Sequence, residues 1–89
     1  MSGTVIVKQF INRMPPAFSA EWNGWPLTIA LDTSAMLKLG ALDPERDPET
    51  TLASNERSVA SAVERLLAMR AVAPSREGFT VTLSAIDLY

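Results

Sequence analysis

The 89-residue chain contains no cysteine and no histidine. Without cysteine no disulfide reinforces a small core and no thiolate can act as nucleophile or metal ligand, so packing has to hold the fold. Without histidine the commonest general base near neutral pH and the commonest transition-metal ligand are missing, which excludes zinc sites and Ser-His or Cys-His catalysis within one chain. No metal and no cofactor are expected. An excess of one charge is also lacking: 8 basic against 10 acidic residues leave a net charge of −2, which gives no long-range attraction for phosphate backbones or anionic membranes. Long hydrophobic runs are missing at the amino terminus, where the longest aliphatic stretch is Val5 to Val7, too short for a signal-peptide core or a membrane span. A cytoplasmic location without membrane association is the resulting expectation.

What is present belongs to a folded chain. An apolar fraction of 47% with 20% charged residues is that of a globular protein and not of a disordered one. The length suits one domain, residues 1–89, with one core, and no repeat, linker or low-complexity tract divides it. Thr4 to Ile11 is rich in β-branched residues and reads as a strand, although Val5, Ile6 and Val7 in succession do not choose the buried face. Met14, Pro15 and Pro16 break it.

Asn23 and Gly24 lie between two strand-like runs, as a two-residue type I′ turn requires. That turn sets a register in which Trp22 opposes Trp25, Ala20 opposes Leu27 and Phe18 opposes Ile29 on one face. Glu21 with Pro26, Ser19 with Thr28 and Ala17 with Ala30 fall on the other. Asp32, Thr33 or Ser34 can cap a short helix through Leu39, and Gly40 can close it in a left-handed conformation. After a polar connection through Asp43, Pro44, Glu45 and Arg46, the run Asp47-Pro48-Glu49 predicts a helix start with Asp47 as capping carboxylate. Leu52, Val59, Val63, Leu66 and Leu67 then form one stripe of a long helix from Pro48 to about Ala71. Pro74 to Gly78 turns the chain. Phe79, Val81 and Leu83 alternate with Thr80, Thr82 and Ser84 as a half-buried strand. The expectation is an α+β fold: a small antiparallel sheet, made of the N-terminal strand, the hairpin and the C-terminal strand, packed against one long and one short helix.

The order of these features carries a resemblance. Leu27 to Asp32 ending a hairpin strand, a short helix closing at Gly40, Asn55 four residues before Val59, and the late Gly78, Phe79, Val81, Leu83 and Asp87 resemble the small bacterial domains grouped as domain of unknown function 1488. The resemblance covers about Phe18 to Asp87. It implies an α+β architecture and no activity. The Pro-rich segment before the hairpin and the extended first strand depart from the pattern.

Four residues stand out as candidates for partner binding. Trp22 and Trp25 face each other at a hairpin tip, a place where indoles are either core or interface anchors. Ala62 and Met69, with Ala60, widen the apolar arc of the long helix to about half its circumference, more than one sheet contact needs, so the short helix or another subunit should cover it. Catalytic chemistry would have to come from carboxylates, with Glu21, Asp32, Glu56, Glu64 and Asp87 outside the polar connection, and would need two of them to converge. Glu56 falls within the apolar stripe, which asks for a wet end of the helix or an arginine partner; Arg70 lies on the stripe near the helix's negative end.

The leading reading is therefore a non-enzymatic accessory or protein-interaction domain that forms a homo-oligomer and has room for a further protein partner. A small regulator binding nucleic acid, or a protein that handles it, ranks second because the eight basic residues are scattered in the sequence. A carboxylate-dependent enzyme ranks third.

Overall fold

The structure, a computed structural model, describes residues 4–11, 13, 16–40, 45 and 47–88, with Pro48 described by its backbone alone. The elements run β1 (Val5–Ile11), β2 (Ala17–Trp22), β3 (Trp25–Leu31), α1 (Thr33–Leu39), α2 (Pro48–Ala53), α3 (Glu56–Ala68), β4 (Phe79–Leu83) and a closing 3-10 turn, Ala85–Asp87. The expected break at Met14 and Pro15, and Asp43, Pro44 and Arg46 of the polar connection, lie outside the described residues. Among the described residues no helix is long and apolar enough to cross a membrane.

Asn23 and Gly24 both take positive φ, 53° and 81°, so the turn is the mirror-image type whose twist matches that of its flanking strands. The register that follows is the expected one, from Trp22 opposite Trp25 to Ala17 opposite Ala30. Two hydrogen bonds then fix which way each backbone group of β3 points. Leu31 N–H donates to Pro16 C=O on the β2 side, and Asp32 N–H donates to Leu83 C=O on the β4 side. Strand alternation therefore turns the odd residues of β3 toward β2 and the even ones toward β4. Pro26 is even, and its missing N–H would fall beside Glu77, before β4 begins at Phe79. A proline inside an interior strand thus removes no ladder bond.

The sheet is mixed, where an antiparallel one was expected. Its order is β1-β2-β3-β4, and β4 runs parallel to β3 with Leu27 opposite Phe79 and Leu31 opposite Leu83. Three helices carry the chain from the end of β3 back across the sheet, so that β4 starts beside Leu27, a parallel crossover that no tight hairpin can make. In β1 the register slips between Val7 and Gln9, leaving Lys8 as an extra residue. Strict alternation from Val5 and Val7 would place Gln9 inward; the bulge brings Phe10 opposite Phe18 instead, with the rings edge-to-face at 5.7 Å.

The helices cover the face carrying Val5, Phe18, Ala20, Leu27, Ile29, Leu31, Val81 and Leu83, against which Ala35, Met36, Leu52, Val59, Ala62, Val63 and Leu67 are buried. The opposite face is mostly polar: Gln9, Ser19, Glu21, Thr28, Thr80 and Thr82, with Ile6 54% exposed among them. On that face Lys8 lies 3.6 Å from Glu21.

The single long helix expected over Pro48 to Ala71 is two helices. Ser54 Oγ donates to the carbonyls of Thr50 and Thr51 at 3.2 and 2.9 Å, and Asn55 Nδ2 donates to Thr51 C=O at 2.7 Å. These side chains compete with the backbone for the carbonyls of the last turn and break the helix between Ala53 and Glu56. Glu56 stands exposed in the first turn of α3, at the wet end of that helix. Asp47 precedes α2 as expected, but its carboxylate accepts from the Thr50 hydroxyl at 2.8 Å and caps no backbone amide. α3 stops at Ala68, earlier than expected. Ala71 N–H donates to Leu66 C=O at 2.9 Å and Arg70 N–H to Leu67 C=O at 3.1 Å, a Schellman closure with Arg70 in the left-handed region at φ 57°. Arg70 thus lies beyond the helix it was placed on.

Asp32 ties the ends of four elements together. Its carboxylate accepts from the Ala35 amide at 2.8 Å, capping α1, and from the Ser34 hydroxyl at 2.7 Å. Ser34 Oγ in turn accepts from the Ala85 amide at 3.0 Å, joining α1 to the 3-10 turn that follows β4. Gly40 closes α1 at φ 79°, as the sequence suggests.

Two outcomes follow. The Ser34 hydroxyl, and after it the Ala35 amide, hold the Asp32 carboxyl below its ordinary pKa of 3.8. A carboxylate depressed in the folded state adds stability that is fully present above the unfolded pKa of about 3.9 and is lost as pH falls through the folded value. Carboxyl-detected NMR titration is expected to give Asp32 a midpoint below 3.8, and Ser34→Ala should move it upward. Arg70→Gly is expected to stabilise the protein by about 0.5–1 kcal/mol in urea unfolding, because glycine enters the left-handed region without the steric cost an L side chain meets there.

Candidate functional site

Three surfaces collect the residues that could act on something outside the chain. The first is the hairpin tip. The hydrogen-bonded pair that closes the turn sets Trp22 and Trp25 side by side, with ring centroids 5.5 Å apart and planes at 86°. Trp22 also meets Phe79 edge-on at 6.4 Å, and the Arg76 guanidinium lies 5.8 Å from the centroid of Trp25. The parallel pairing of β4 brings Phe79 there, and the turn before it supplies Arg76. Trp22 packs against the core, and its indole N–H is buried with no acceptor among the described residues. A buried donor left unpaired costs about 1–3 kcal/mol, so this indole is held by packing and not by its polar atom. Trp25, half-buried like Trp22, meets it edge-to-face and has the guanidinium over its ring.

The second surface is the flank of α3. Ala62, Leu66 and Met69 recur on one side of the helix and, with Arg65, Ile86 and Asp87, line a small cleft of about 70 Å³. The far wall is the 3-10 turn. Asp87 Oδ2 accepts from the amide and hydroxyl of Ser84 at 2.9 and 3.1 Å, and Arg65 donates to Asp87 C=O at 2.6 Å. These bonds fix Ile86 with its side chain 80% exposed, beside Met69 at 68%. Ala62 forms the floor and is 1% exposed. The structure therefore brings Ala62 and Met69 together at one cleft, and brings Trp22 and Trp25 together at another place; neither tryptophan lines the cleft. Ile86 was not singled out in the sequence. It sits in a five-residue tail too short for periodicity to show a face, and only the Ser84–Asp87 capping pair offered a signal.

The third surface is a groove of about 410 Å³ between β1 and α3, lined by Thr4, Val5, Val7, Glu56, Arg57, Ala60, Ser61 and Glu64. Of the five carboxylates considered for chemistry, Glu56 and Glu64 alone line it. Glu64 Oε2 accepts from the Val5 amide at 2.8 Å, so this carboxylate closes the edge of the sheet. Among the others, Glu21 neighbours Lys8, Asp32 caps α1 and Asp87 closes the 3-10 turn. Among the described residues, no three Asp or Glu side chains gather where they could hold a metal ion.

Comparison with family models, with curated proteins and with solved structures finds no match to this chain.

The two tryptophans differ in what they support. Trp22→Ala is expected to cost about 3–5 kcal/mol, since it opens a hole beside the core. Trp25→Ala removes a cross-strand ring contact that stays half-open to solvent, and is expected to cost about 1 kcal/mol. Urea unfolding followed by circular dichroism separates the two; equal losses would mean that both indoles serve the core alike.

Proposed function

We propose that this protein is a non-enzymatic accessory domain that acts through protein association, first of all with a second copy of itself. The observation that carries the reading is the pair Met69 and Ile86, large apolar side chains standing 68% and 80% exposed on the two walls of one cleft. Burying such a side chain fully is worth roughly 1.5–3 kcal/mol, and a two-fold contact counts each of them twice. Fixed backbone geometry supports the reading further: the Schellman closure holds the backbone at Met69, and the Ser84–Asp87 pair holds it at Ile86, so only the side chains have to be ordered when a partner covers them. Four of the five carboxylates considered for catalysis have structural tasks, which leaves Glu56 without a second free acid in its groove. The resemblance to domain of unknown function 1488 is in keeping with the α+β architecture and brings no activity with it.

Light scattering coupled to gel filtration, from micromolar to millimolar concentration, is expected to show a dimer. Met69→Lys combined with Ile86→Lys should weaken it by at least about tenfold, since two ammonium groups replace apolar contact at each half of the interface. A wild-type monomer across that range would overturn the reading.

A further inference from the structure

The sheet treats its two edges differently. β1 is guarded in three ways that discourage pairing with another strand. Its register slips between Val7 and Gln9, Lys8 lies at the slip, and the outward amide of Val5 is occupied by Glu64 Oε2 at 2.8 Å. β4 has none of these. Its five residues, Phe79–Leu83, are uncharged and unbulged, and they pair with β3 alone in an unbroken register.

The alternation in β3 settles which groups of β4 are left over. Leu83 C=O accepts from Asp32, so Leu83, Val81 and Phe79 turn their backbone groups toward β3, and Thr80 and Thr82 turn theirs to the free edge. Among the described residues no hydrogen bond takes up the outward amide or carbonyl of either threonine, and both residues are exposed. A row of alternating N–H and C=O groups specifies its occupant, because only another extended backbone satisfies them in turn.

We infer that self-association joins the β4 edges of two copies, antiparallel about a two-fold axis at Val81, into one continuous sheet. The inference rests on the self-association reading and names the surface and register it uses. In this register Thr80 opposes Thr82 of the partner subunit and the reverse, and each pair exchanges two hydrogen bonds. Both outward residues of β4 are thereby satisfied, which an axis at either threonine does not achieve. The uncharged strand brings no like charges together, and opposed threonines are favourable cross-strand neighbours. Ile86 follows the end of β4 by three residues and stands 80% exposed.

Charge placed at the opposed positions tests the register. The side chains of Thr80 and Thr82 stand exposed on the open face, so substitution should leave the circular dichroism and melting temperature of the subunit unchanged. In T80K/T82K each lysine faces a lysine, and dimerisation measured by light scattering is expected to weaken by at least about tenfold. In T80K/T82E each lysine faces a glutamate, and the dimer should return. Wild-type amide exchange gives a measurement free of mutation: the Thr80 and Thr82 amides are expected to slow as concentration rises through the dimer range. A dimer retained in T80K/T82K, with Met69→Lys/Ile86→Lys monomeric, would overturn the edge pairing and leave self-association standing. A wild-type monomer would overturn both. Failure of T80K/T82E to restore the dimer, or exchange at Thr80 and Thr82 that ignores concentration, would overturn the register.

Discussion

The Asn23-Gly24 turn sets the constraint on which the rest of the molecule depends. Because side chains alternate with a period of two, a slip of one residue in the β2–β3 pairing would move every core residue of the ribbon to the open face. With Trp22 held opposite Trp25, the same alternation decides which backbone groups of β3 reach β2 and which reach β4. It follows that Pro26 sits where its missing N–H is not needed, and that Thr80 and Thr82 are left facing out. One turn thus fixes the composition of the core, the tolerance of an interior proline and the chemistry of the free edge.

The helical layer is secured at its ends and not along its length. Side chains of Ser54 and Asn55 end α2, a left-handed Arg70 ends α3, and Asp32 starts α1 while linking it through Ser34 to the segment after β4. Each of these contacts is partly wet, so each contributes modestly. Their joint effect is to orient α3 so that one flank lies against β1 and the other against the 3-10 turn. The first flank delivers Glu64 to the Val5 amide; the second presents Met69 beside Ile86. Protection of one edge and exposure of an apolar cleft are consequences of the same helix placement.

This arrangement gives the functional reading its physical content. A small protein with exposed large apolar side chains on rigid supports gains by covering them, and a strand edge whose donors and acceptors are unpaired gains by extending. Of the four candidate residues, Trp22 packs against the core, Trp25 meets Trp22 edge-on at the hairpin tip, Ala62 floors the cleft and Met69 stands open on its rim. Their shared apolar character was visible in the sequence. Their different surroundings were not, because exposure depends on what the other elements bring alongside.

What the sequence by itself determined is whatever rests on neighbours in the chain. The hairpin and its register, the Asp32 cap and Gly40 closure of α1, and the alternation of β4 all follow from turn chemistry, capping groups and period, which act over a few residues. What the tertiary structure decided is whatever balances local preference against distant contact. The bulge at Lys8 turns Phe10 toward Phe18, an adjustment that only the presence of β2 makes worthwhile. The stop at Arg70 has no glycine to announce it: an exposed arginine takes the left-handed conformation its own preference opposes, closed by amide bonds to Leu66 and Leu67. The parallel direction of β4 came from where the helices returned the chain, and the length of that connection alone did not reveal the strand it would join. Glu64 reached the Val5 amide across 59 positions of sequence, a contact that no local pattern encodes because it exists only once the helix lies on the sheet.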